Sequence, residues 1–137
     1  MIIRDYKVIA PGTVDAEALA SKVPLSFWGG ADVSTGIIQD VHSDLCGKNS
    51  LGKVLCIPYE RGSCSGSGVV FEMIRQGTNP AAILCSEAEA IMALGPIIGK
   101  RVYNREMPIR TVPSDVLNQI NTGDRIVFTE DSILVNE

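Results

Sequence analysis

The stretch Arg61-Gly62-Ser63-Cys64-Ser65-Gly66-Ser67-Gly68 gathers the residue types that acid–base chemistry on a small anion requires. Its three glycines let the backbone approach a ligand with no Cβ in the way. Its three serines bring hydroxyls that donate or accept, and Arg61 brings a guanidinium that can bind a carboxylate bidentately. The apolar run Val54-Leu55-Cys56-Ile57 and Pro58 precede it, and Val69-Val70-Phe71-Glu72-Met73-Ile74 follows. A strand, a Gly/Ser-rich turn and a helix in that order set backbone N–H groups and a helix N-terminus in front of a carboxylate or phosphate. One serine aimed at the reacting carbon would make half a catalytic site. Two plainer readings stay open: Ser65 or Ser67 can serve as a helix N-cap, and a glycine-rich turn can be purely conformational. The loop lacks the Lys-Ser/Thr pair of a Walker A sequence and the usual setting of a dinucleotide fingerprint.

Few other residues offer chemistry. His42 is the sole histidine and stands in Asp40-Val41-His42-Ser43-Asp44, where a carboxylate can orient it. Such a histidine is more often a structural hydrogen-bonding group than a base. Trp28, beside Gly29-Gly30, reads as core packing with a pocket wall as the alternative. Arg101, Arg105 and Arg110 read as solvated. Cys46, Cys56, Cys64 and Cys85 have no C-x-x-C spacing, so they read as free thiols, with Cys56 and Cys85 in the core. No metal-ligand cluster, triad or spaced carboxylate pair is evident. Half a site on an apolar-leaning chain points to a subunit completed by a partner.

Bulk properties narrow the class. The 137 residues suit one domain spanning 1–137. With 45% hydrophobic and 20% charged residues the chain is globular. A net charge of −4 and 5% aromatics argue against nucleic-acid binding. No signal-like N-terminus and no apolar run of membrane-spanning length appear, so a cytoplasmic protein without a membrane partner is expected.

These elements must position the loop. Strands are expected at 1–9 and 53–57, an extended segment at 16–26, and a long ordered loop over 29–52, which in a compact domain is usually functional. A helix over 67–76 stops at Gly77. A buried strand follows at 81–85, then a helix over 87–94 stopped by Gly95-Pro96, a short strand at 101–103 and a short helix over 114–120. A hairpin joins 125–129 to 133–136. The class is mixed β/α, and the 28–42 stretch is expected beside the serine loop.

Several motifs agree in order with one known family. Pro24-Leu25-Ser26-Phe27-Trp28-Gly29-Gly30, Thr35-Gly36-Ile37-Ile38-Gln39-Asp40-Val41-His42 and Arg61-Gly62-Ser63-Cys64-Ser65-Gly66-Ser67 resemble the small, swivelling subunit of the aconitase-X family. Glu72, Arg75-Gln76-Gly77, Pro80, Gly95, Tyr103 and Pro108 also match, so the resemblance covers roughly residues 1 to 135. Glu60 departs from it, standing where glycine is more usual.

The resemblance implies a single swivelling β/β/α domain that closes over a larger catalytic subunit. It implies a hydro-lyase that dehydrates a small 3-hydroxy acid, with Ser63 as general base. Arg61, Gly62, Cys64, Ser65, Gly66 and Ser67 would bind substrate. An iron or iron–sulfur cluster would be held mainly by the partner, where it assists the leaving hydroxide as a Lewis acid, with Cys64 as a possible thiolate ligand. The Cys64-Ser65 pair points to the branch resembling cis-3-hydroxy-L-proline dehydratase. The alternatives are the branch resembling mevalonate 5-phosphate dehydratase and a non-catalytic module that binds a small acid.

Overall fold

The computed structural model describes residues 1–61 and 64–137, with residues 64 and 65 given as backbone. Eight strands are β1 (Ile2–Ile3), β2 (Lys7–Ala10), β3 (Val14–Ala20), β4 (Val54–Ile57), β5 (Ala82–Cys85), β6 (Ile109–Thr111), β7 (Arg125–Phe128) and β8 (Ile133–Val135). They form one sheet in the order β1-β8-β7-β3-β4-β5-β6-β2. The centre, β3-β4-β5-β6, is parallel, and the pairs toward both edges are antiparallel. The helices are α1 (Cys64–Gln76), α2 (Leu94–Tyr103) and the short α3 (Ser114–Leu117). The mixed β/α class is the one expected from the sequence.

The centre of the sheet is buried on both faces, which is why β4 and β5 read as unbroken apolar runs. Leu55, Ile57, Ile83 and Cys85 face one layer with Val70, Met73 and Ile74 of α1 and Met92. Val54, Cys56, Ala82 and Leu84 face the opposite core with Leu117, Ile126 and Phe128.

The structure corrects three expectations. The helix expected to stop at Gly95-Pro96 is a 3₁₀ turn, Ala90–Ala93, and α2 runs on through both residues to Tyr103. Proline is tolerated there because an N–H in the first helical turn has no intrahelical acceptor to lose. The strand expected at 101–103 is therefore the end of α2, closed by Asn104 in the left-handed region. Glycine at 95 is what allows α2 to approach α1, since a Cβ there would sit 2.8 Å from the Ser67 carbonyl oxygen. The strand expected at 1–9 is split into β1 and β2, which lie at opposite edges of the sheet.

Residues 29–52 are ordered with little regular structure, as expected. Isolated bridges join Ala31 to Ile38 and Ile37 to Asn49. Ala31, Ile38 and Leu45 anchor the segment in the core. The Thr78 hydroxyl, just past α1, donates to the Val33 carbonyl at 2.6 Å.

Candidate active site

Three chain segments meet at the carboxyl end of β4. The backbone N–H of Arg61 donates to the Leu25 carbonyl at 2.8 Å, and a parallel bridge joins Leu25 to Glu60. This brings the start of the serine loop against the turn that carries Trp28. The third segment arrives through Asp40, whose buried carboxylate accepts the Ser26 N–H at 3.1 Å and the His42 N–H at 3.0 Å. The same carboxylate forms an ion pair with the Arg61 guanidinium. Burial works to raise the Asp40 carboxyl, but those two N–H donors and Arg61 outweigh it and hold it below the usual carboxylate value.

The expected proximity of the 28–42 stretch to the serine loop is thus realised at Asp40 and Arg61. Two details differ. The carboxylate beside His42 engages its backbone, and His42 is exposed. Trp28, expected in the core, is 68% exposed, and Phe27 takes the buried position instead. The turn explains the exchange. The Ser26 hydroxyl donates to the Trp28 carbonyl at 3.2 Å, Gly30 N–H donates to Phe27 O at 3.2 Å, and Gly29 lies at φ +71°. So tight a turn turns one aromatic ring in and its neighbour out.

The expected site residues separate as follows. Gly62 and Ser63 lie outside the described residues. The backbone of Cys64 and Ser65 begins α1, so the second half of the serine loop is already helical, three residues earlier than expected. Gly66 is in that first turn, and the group lying over it is Glu60. A Cβ on Gly66 would fall 1.6 Å from Oε1 of Glu60, so glycine admits this carboxyl to the helix start. Among the described residues Glu60 Oε1 is buried without a hydrogen-bond partner, and burial pushes its pKa up to about 7. Glu60 also lines a cavity of about 250 Å³ with Tyr59, Glu87, Ala88, Glu89, Ile91 and Met92. Ser67, expected among the substrate-binding residues, gives its hydroxyl to the Ile91 carbonyl at 2.5 Å and so ties α1 to the 3₁₀ turn.

The described residues do not assemble an iron site. No group of three or more His, Cys, Asp or Glu side chains among them could hold a metal ion. Cys56 and Cys85 are in the core as expected, and burial pushes each thiol up to about 12, far from the thiolate that binds metal. Among the described residues no helix is long and apolar enough to cross a membrane.

Residues 3–136 match the aconitase X swivel domain. The chain belongs to that family. The phosphomevalonate dehydratase small subunit of Thermococcus gammatolerans is 37% identical over 131 residues, covering 96% of this chain and 93% of the relative. The cis-3-hydroxy-L-proline dehydratase of Pseudomonas aeruginosa is 41% identical over 103 residues, covering 75% of this chain and 18% of the relative. This swivel domain thus spans under a fifth of that enzyme's length. In structure it is similar to the holo-form of Thermococcus kodakaraensis aconitase X, with a TM-score of 0.85 and 32% identity, over 100% of this chain and 99% of the other.

Asp40 and Glu60 are the two residues at this site whose roles the sequence concealed. Asp40 read as a partner for the His42 ring, and no local signal marked an ion pair to a residue 21 positions later. Glu60 read only as a departure from the family pattern.

Proposed function

We propose that this swivel domain is the small subunit of a two-chain hydro-lyase that dehydrates mevalonate 5-phosphate, a phosphorylated 3-hydroxy acid. The observation that carries this reading is the 37% identity to a phosphomevalonate dehydratase small subunit over nearly the whole of both chains. A second relative so named, from Pyrococcus furiosus, is 47% identical over 90 residues.

The reaction removes a proton α to a carboxylate and expels the β-hydroxyl. Charge gathers on the carboxylate as the proton leaves, so a cation and N–H donors placed there lower the barrier. Arg61 supplies the cation, and the first turn of α1 supplies N–H groups with no intrahelical partner. Ser63 is the proposed base, and a helix N-terminus helps to stabilise its alkoxide. Gly62, Cys64, Ser65 and Gly66 complete the proposed substrate-binding set. The iron or iron–sulfur centre of this reading is held mainly by the larger chain, with the Cys64 thiolate, whose side chain lies outside the described residues, as a ligand from this one.

A second reading, cis-3-hydroxy-L-proline dehydration, is favoured by the Cys64-Ser65 pair and by the 41% identity to the Pseudomonas enzyme. Co-expression with the larger subunit from the same source separates the two. The purified complex, assayed with both acids, is expected to turn over mevalonate 5-phosphate. Turnover of cis-3-hydroxy-L-proline alone would establish the second reading. Failure of the two chains to associate, or turnover by this chain on its own, would overturn the two-subunit assignment.

A further inference from the structure

We propose that Asp40 is the positioning residue of this site: it sets the direction of the Arg61 guanidinium and holds the Trp28 turn against it. The part concerning substrate rests on the reading above, in which Arg61 meets the substrate carboxylate. The geometry begins with the carboxylate itself. Oδ2 accepts the Ser26 N–H at 3.1 Å and Oδ1 accepts the His42 N–H at 3.0 Å. One backbone donor on each oxygen fixes the plane of the group. Arg61 Nη2 then meets Oδ2, and the approach of a planar guanidinium follows the plane of the carboxylate that receives it.

The backbone of Asp40 is held as firmly. Its N–H donates to the Gly30 carbonyl at 3.2 Å, and its own carbonyl accepts the Ser43 N–H at 3.0 Å. Gly30 cannot be enlarged, since a Cβ there would lie 1.8 Å from the Ser26 carbonyl oxygen and 3.0 Å from Asp40 Cβ. Asp40 is therefore fixed from both sides of the turn before it meets Arg61. The Arg61 side chain is 37% exposed against 6% for Asp40. The pair is a buried anion holding a cation at the surface. A guanidinium has five N–H donors, and Asp40 engages this one through Nη2. Arg61 stands two residues before the proposed base Ser63 in the sequence.

Two readouts test the proposal. The first uses this chain without substrate. Trp28 is the single tryptophan, so the fluorescence anisotropy of the protein reports the turn that Asp40 holds. Asp40→Asn keeps the size of the side chain but offers only one oxygen where two are used. Its anisotropy is expected to fall, and unchanged anisotropy overturns the proposal whatever the enzyme turns over. The second readout uses the two-chain enzyme. Asp40→Asn and Arg61→Ala are each expected to raise KM for mevalonate 5-phosphate about 10- to 100-fold, the loss of one hydrogen bond to a charged group, with a smaller change in kcat. The double variant is expected to be no worse than Arg61→Ala. Additive losses would show Asp40 acting apart from Arg61 and would overturn the proposal. Should Asp40→Asn fail to fold, Arg61→Lys decides. It keeps the charge and loses the planar fork, so a KM as high as that of Arg61→Ala supports positioning, and a wild-type KM refutes it. A wild-type complex inactive on both acids would sink the functional reading alone, and the anisotropy would still decide whether Asp40 holds the turn.

Discussion

Replacing Gly95 by alanine tests the close packing of α2 on α1, the helix that follows the serine loop. The new Cβ would lie 2.8 Å from the Ser67 carbonyl oxygen and 3.2 Å from the Phe71 nitrogen, whereas ordinary contact starts at 3.4 Å. The shortfall of roughly 0.6 Å falls on backbone atoms, which cannot swing aside as a side chain would. The two helices must separate, and forcing a methyl group into such a contact costs about 1–3 kcal/mol. Alanine's better helix propensity returns up to about 1 kcal/mol. With that gain in full, the net expectation is a loss of about 0–2 kcal/mol. Gly68 supplies the control. It lies in α1, is exposed, and a Cβ there would meet nothing within 4 Å. Gly68→Ala should therefore gain about 0.5–1 kcal/mol. The same chemical change thus has opposite signs at two glycines. Urea unfolding followed by circular dichroism measures both, with an unchanged m-value showing that stability alone has moved. A Gly95→Ala protein as stable as Gly68→Ala would refute the close helix contact.

Three further outcomes are expected. Glu60 retains its proton up to about pH 7 in the folded chain, against an ordinary value of 4.5. Because the unfolded chain releases that proton first, stability should fall as pH rises from 4.5 to 7 and level off above; Glu60→Gln should lack this slope in melting temperatures taken at constant ionic strength. Arg110→Met and Arg110→Lys should each lose about 2–3 kcal/mol in chemical denaturation, because the buried Ser132 carbonyl and the part-buried Thr129 carbonyl lose the two guanidinium donors, which one ammonium cannot replace. In the reconstituted enzyme Ser63→Ala should lower kcat about a thousandfold or more, while Ser67→Ala should instead lose about 1 kcal/mol of stability, as α1 loses its hydrogen bond to the Ile91 carbonyl, which keeps the Leu94 N–H; near-normal kcat in Ser63→Ala would remove Ser63 from the role of base.

The central strands were legible because β4 and β5 are buried on both faces, so their apolar runs carry no competing signal. Strand β6 was not, since Arg110 interrupts Ile109 and Thr111 in sequence. The structure buries that arginine between the Tyr6 and Phe128 rings, 4.6 and 4.8 Å from their centroids. Its expected solvation fails because aromatic faces and carbonyls substitute for water. Gly95-Pro96 reads locally as a stop, but both residues fall in the first turn of α2, where proline loses no hydrogen bond, and only the closeness of α1 explains the glycine at 95. The serine loop was legible as a chemical motif from its composition. The clasp around it was not, because Ser26, Asp40 and Arg61 are joined by folding and not by spacing.

The two ends of the sheet have a consequence for assembly. One edge is β1, only two residues long, and the other is β2, whose register with β6 breaks between Val8 and Ala10. Short and irregular edges give an incoming strand few aligned N–H and C=O groups to pair with. The fold is thereby guarded against extending itself, copy upon copy, into a continuous ribbon. It also narrows how any second chain can be recognised. Main-chain pairing, which is indifferent to sequence, finds little to hold on either edge; the side chains on helix faces and loops offer a partner more. Specificity for the right partner is thus built into which surfaces the sheet leaves unusable.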